Sequence, residues 1–146
     1  MKKITAIAVA AMLVGSVVLT SCKKYEEGPA LTLLTKKARV AGTWELEAYL
    51  VDGVDKTADY RTLVTSEELI YSKEGTYTSS YTFVIGSDTD AGSWEFINDK
   101  LEIKSLSNDA GATPDTMVIV KLKSKEMWVK EKTPGSTVEE MHYKAK

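Results

Sequence analysis

Beyond residue 43 the chain alternates apolar and polar side chains with a period of two, the spacing of strands that cover one face and wet the other. Trp44, Leu46, Ala48 and Leu50, separated by Glu45, Glu47 and Tyr49, predict a first strand over 44–50. A second strand over 69–72 turns at Lys73-Glu74-Gly75 and returns over 77–83. There Tyr77, Ser79, Tyr81 and Phe83 share one face, and Thr76, Thr78, Ser80 and Thr82 the solvent face. Trp94 and Phe96, the turn residues Asn98-Asp99, then Leu101 and Ile103 predict another hairpin. Residues 117–122, 127–129 and 138–143 supply three more strands, separated by turns at 123–125 and 133–135.

These eight strands are joined mostly by short turns, with no helical segment between them long enough for a parallel crossover. The expected fold is therefore all-β, an eight-stranded antiparallel up-and-down barrel, because one open sheet of that size would leave long unpaired edges. A two-sheet sandwich would need Greek-key crossings, against which the short turns argue. Ahead of the strands, Leu31, Leu34 and Ala38 with lysines between them predict a short amphipathic helix over 31–40, ending near Gly42.

The first 21 residues have a different pattern. Lys2 and Lys3 precede an apolar run over 4–19 that is shorter than the roughly 20 residues of a comfortable membrane span. Leu19-Thr20-Ser21-Cys22 closes it, and the whole segment resembles the signal of a bacterial lipoprotein. That resemblance implies cleavage before Cys22 and acylation of its thiol, hence a membrane partner reached through a lipid anchor. Cys22 is also the one cysteine of the chain, so no internal disulfide can form. Residues 22–30 have the composition of a flexible tether, and 31–146 form the expected domain. Glu26-Glu27 is similar to the acidic surface-export signal of lipoproteins in the Bacteroides and Flavobacterium group. Lys23 stands where an aspartate would resemble an inner-membrane retention signal, which points to the outer membrane.

Charge narrows the partners. Removing residues 1–21 takes two lysines and no acidic residue from 19 basic and 21 acidic side chains, leaving a formal −4. Nucleic acid is not an expected partner, since that function needs a concentrated basic face.

Gly42-Thr43-Trp44 after a short helix resembles the start of the lipocalins, and more closely the lipocalin-like lipoproteins of the Bacteroides group. Gly92-Ser93-Trp94-Glu95-Phe96 with Asn98-Asp99-Lys100-Leu101, and the Lys73 to Tyr77 hairpin, are similar to the same family. The resemblance implies that Trp44 plugs the barrel floor and that Gly42 admits the chain there without a side-chain clash. It also makes 52–66 the position of a lid loop, where a short strand around 60–64 is the plainer expectation.

A ligand-binding barrel needs a lumen with apolar walls and a few polar groups. Alternation offers Tyr77, Tyr81, Phe83, Trp94 and Phe96 as the ligand-binding set, with Leu46, Leu50, Leu101, Ile103, Met127 and Met141 as further lumen positions. The same residues would serve equally as a filled core. The alternative to a small apolar or amphipathic ligand is thus an interaction or structural module that docks on another envelope protein. Asp88 and Asp90 fall in an expected solvated turn over 86–90. His142, beside Glu140 and Lys144, is expected to face solvent. The sequence has no nucleophile elbow, phosphate loop or metal-spaced His/Cys set, so neither an enzyme, a metal nor a cofactor is expected.

Overall fold

In the computed structural model the described residues are 33–131 and 137–146. The signal segment 1–21, the lipidation residue Cys22 and the tether 22–30 lie outside them. Helix α1 (Lys36–Val40) leads into β1 (Gly42–Val51), the short β2 (Val54–Asp55) and helix α2 (Thr57–Arg61). Seven strands come after it: β3 (Val64–Tyr71), β4 (Thr76–Phe83), β5 (Gly86–Ile97), β6 (Glu102–Ser107), β7 (Asp115–Leu122), β8 (Glu126–Glu131) and β9 (Glu139–Ala145). Each pairs antiparallel with the next, and β1 pairs with both β3 and β9. The eight long strands therefore close into a barrel, with β2 as a small hairpin added to β1. Closure leaves no long edge open.

Four elements depart from the expected pattern. In β1 the pairing register with β9 shifts between Leu46 and Ala48. A bulge of this kind reverses the facing of the residues beyond it, so Tyr49 rather than Leu50 packs on the core. β3 is twice as long as the expected 69–72 because it includes Glu67, a carboxylate in a buried position that disguises the alternation. The expected turn over 86–90 is instead the start of the 12-residue β5, and the chain reverses at Val84-Ile85. Within 52–66 the structured piece around Tyr60 is α2, not a strand.

The two ends of the barrel differ. At one end α1 lies across the opening, capped by the Thr35 hydroxyl that accepts from the Ala38 amide at 3.1 Å. Val40 is fully buried there, and the Trp44 indole N–H donates to the Val40 carbonyl at 2.8 Å. Arg39 donates to the Leu122 carbonyl on β7 and completes the plug. Above it Leu46, Ile103, Leu122, Met127 and Val129 fill the lower barrel with almost no exposure. A Cβ added to Gly42 would meet only the Trp44 indole nitrogen at 3.9 Å, so crowding is not what requires glycine at the floor.

Candidate functional site

The upper half of the barrel is hollow. A cavity of about 260 Å³ opens at the end opposite the plug, between the C-terminal ends of β4, β6 and β8 and the N-terminal ends of β5, β7 and β9. Its walls are made by inward positions at every second residue. Tyr77, Ser79 and Tyr81 come from β4, Ser105 and Ser107 from β6, and Asp115 and Met117 from β7. Asp90, Glu131, Met141 and Tyr143 complete most of the ring, and Leu69 and Tyr71 form its base.

The lining is therefore mixed. Leu69, Met117 and Met141 are its aliphatic part, whereas phenols, serines and three carboxylates make up most of the rest. Asp90 accepts from the Tyr77 phenol and from the Ser107 hydroxyl. The Ser107 bond first, then that of Tyr77, holds the Asp90 carboxyl below its ordinary pKa, so it is an anion at neutral pH. Glu131 has the opposite environment. Partial burial, then Glu139, then Asp115 push its carboxyl above the ordinary value. Burial raises the phenols of Tyr71, Tyr77, Tyr81 and Tyr143, so all four are neutral hydroxyls.

Beside the cavity, level with Tyr81 on the neighbouring strand, Glu67 is 7 % exposed and is held by two phenols, Tyr60 at 2.8 Å and Tyr143 at 2.7 Å. Two donors satisfy a buried carboxylate that would otherwise be costly. The Tyr60 bond also ties α2 to the barrel, together with the tilted contact of its ring with Tyr49 at 4.7 Å between centroids and the bond that Arg61 donates to the Leu46 carbonyl. Burial and the nearby Glu139 push the Tyr49 phenol up to about 12.

Of the five expected ligand-binding residues, Tyr77 and Tyr81 line the cavity. Phe83 sits at the rim, 36 % exposed, with its ring stacked on Tyr81 at 6.2 Å. Trp94 and Phe96 lie deeper, edge to face at 5.3 Å, and belong to the packed half; the Trp94 indole donates to the Ser72 carbonyl at 3.0 Å. Met141 lines the cavity, while Leu101 packs against the core.

Sequence reasoning missed Asp115 and Glu131, with Ser105 and Ser107, and placed Asp90 in a solvated turn rather than on the cavity wall. Extending the alternation of Ile103 outward reaches Ser105 and Ser107, and extending that of Met117 reaches Asp115. Polarity at these positions made them read as strand ends.

His142 is on the outer wall, as alternation expects, but it is not free in solvent. Its ring stacks on Trp128 at 3.9 Å and Nε2 lies 2.6 Å from a Glu140 carboxylate oxygen. Among the described residues no three His, Cys, Asp or Glu side chains are grouped to hold a metal ion.

A family model described as a lipocalin-like domain matches residues 40–129. That match runs from the floor plug into β8, and the chain belongs to the lipocalin-like domain family. No curated protein matches the chain.

Proposed function

We propose that this member of the lipocalin-like family is a lipid-anchored protein of the cell envelope that takes a small apolar or amphipathic ligand into the open half of its barrel. The observation that carries the reading is the division of the interior into a plugged, packed floor and a cavity of about 260 Å³. An engineered cavity of about 150 Å³ already admits benzene, so this one has room for a larger guest. The activity proposed is binding, which the mixed apolar and polar lining of the lumen supports.

Anchoring rests on the lipoprotein-like run ending at Cys22, and outer-membrane placement on Lys23 and Glu26-Glu27. The likeness to Bacteroides-group lipoproteins belongs to the same reading. Several acyl chains, each methylene worth about 0.8 kcal/mol, would hold the domain at a bilayer. Metabolic labelling with a clickable palmitate should mark the wild type and not Cys22→Ser; an unlabelled wild type removes the anchor.

For the ligand, Tyr81→Ala should weaken binding with only a modest loss of stability, because a cavity wall has fewer packing contacts to lose than a filled core. Mass spectrometry of small molecules extracted from natively purified protein, with urea titration of both proteins, checks it. A second reading is favoured by one observation. Leu63, Phe83, Val84 and Ile85 are exposed near the open end, and a rim of that kind suits docking to an envelope partner. Empty protein together with a large stability loss in Tyr81→Ala would favour the docking module.

A further inference from the structure

The lumen has an excess of one charge. Asp90, Asp115 and Glu131 line it, Glu139 stands beside Glu131, and among the described lining residues there is no lysine, arginine or histidine. Among the described residues, two nearby cations are engaged on the outside of the wall: Lys130 pairs with Glu140 at 3.3 Å, and Lys104 with Glu95 at 3.5 Å. Asp90 has its charge answered by internal donors, those of Tyr77 and Ser107. Asp115 and Glu131 face no cation of the described lining, and Glu131 is repelled by both Glu139 and Asp115. Such a group of carboxylates stabilises a cation placed among them and rejects an anion.

A second observation is independent of that charge. Ser105 is 8 % exposed, lines the cavity one inward position deeper than Ser107, and its hydroxyl has no hydrogen-bond partner. The Tyr71 phenol is close enough to feel the hydroxyl, but the pair does not meet hydrogen-bond geometry. A buried polar atom without a partner costs free energy that a guest carrying a donor or acceptor would recover. Four phenol rings surround the same space, and aromatic faces attract cations.

We propose that the lumen selects a small organic ammonium ion, with its charged nitrogen among Asp90, Asp115 and Glu131 and its apolar part against Leu69, Met117 and Met141. The proposal rests on the ligand-binding reading above and names the chemical class of that ligand. Size sets the rest of the description. A cavity of about 260 Å³ suits one ring with a short amine arm, and is too small to enclose a long acyl chain. A fatty-acid carboxylate is the wrong guest on both counts.

Three probes of nearly equal shape separate charge from fit: 2-phenylethylammonium, 2-phenylethanol and phenylacetate, each titrated calorimetrically into the purified full chain at low salt. The ammonium should bind with one-to-one stoichiometry and at least about tenfold more tightly than either of the others, a margin of about 1.4 kcal/mol. Its affinity should fall as salt is added. Asp115→Asn and Glu131→Gln should each weaken the ammonium severalfold more than they weaken 2-phenylethanol, with denaturant midpoints showing that both variants fold. If the alcohol or the carboxylate binds as well as the ammonium, cation selection is wrong and the ligand reading stands. If none of the three binds, the cation proposal is overturned. The ligand reading then falls separately, if natively purified protein also yields no extractable small molecule.

Discussion

Trp44 is held by two different interactions at once, which makes it the most demanding single position in the barrel. Its ring is 1 % exposed within the core cluster, and its indole nitrogen donates to the Val40 carbonyl at the last residue of α1. Truncation would empty the floor and also orphan a carbonyl that the plug depends on. Trp44→Ala should therefore cost about 3–5 kcal/mol, as removal of large aromatic side chains from cores does. Domains of this size are stable by only about 5–15 kcal/mol in all, so the variant should be close to unfolding. Urea titration measures it; a midpoint unchanged within error would show that Trp44 is not the floor's keystone. This residue was legible in the sequence, because a large aromatic after a glycine at the start of the first alternating run has few other places to go. Glu67 was not. A carboxylate can occupy a core position only when donors wait for it, and Tyr60 and Tyr143 lie far from it along the chain or in a segment read as loop.

At the scale of elements, β5 carries more of the architecture than its sequence announces. Its first half, residues 86–93, is Gly, Ser, Asp, Thr and Ala, a composition that signals a turn, yet it pairs in register with β4 from Gly86↔Phe83 to Ser93↔Thr76. The β-favouring partner strand and barrel closure impose the extended form, which is tertiary context overriding local preference. Gly92 is the point at which this strand tolerates nothing larger. An added Cβ would overlap the Leu106 carbonyl oxygen on β6 and stand 2.8 Å from the Tyr77 ring. Tyr77 in turn donates to Asp90, so a displaced ring would also loosen the cavity wall. Gly92→Ala should destabilise the barrel by about 1–3 kcal/mol, the range of overpacked cores. Chemical denaturation reads the loss, and an alanine variant as stable as the wild type would mean that β5 and β6 can separate without cost. The eight long strands, their order and most of their turns were readable, because short connections leave an antiparallel chain little choice. The bulge in β1 was not, since register shifts arise from pairing with β9 and leave no mark on the residues themselves.

The molecule as a whole divides its labour along the barrel axis, and its charges are arranged by the same division. Apolar residues and the plug hold the lower half, while the carboxylates gather where packing has stopped. Carboxylates brought together in this way oppose folding, and Glu131 gives the sign. Partial burial, then Glu139, then Asp115 raise its pKa above the ordinary 4.5. A carboxyl whose folded pKa exceeds its unfolded one supports the fold below the unfolded pKa, and that support is lost as pH rises through the folded pKa. At neutral pH an ionised Glu131 is therefore a liability to stability, opposite in sign to Asp90, whose lowered pKa makes its ionised form a support. Glu131→Gln should raise the melting temperature at neutral pH, and the gain should shrink as the pH falls through the raised folded pKa and be gone below 4.5, where the wild-type carboxyl is neutral in both states. Thermal denaturation of both proteins across the carboxylate range tests this, and a glutamine variant less stable than the wild type at neutral pH would overturn it. The same substitution is the one expected to weaken an ammonium ligand. A position that costs stability while empty and contributes affinity when filled is what a binding site retains and a structural core would lose.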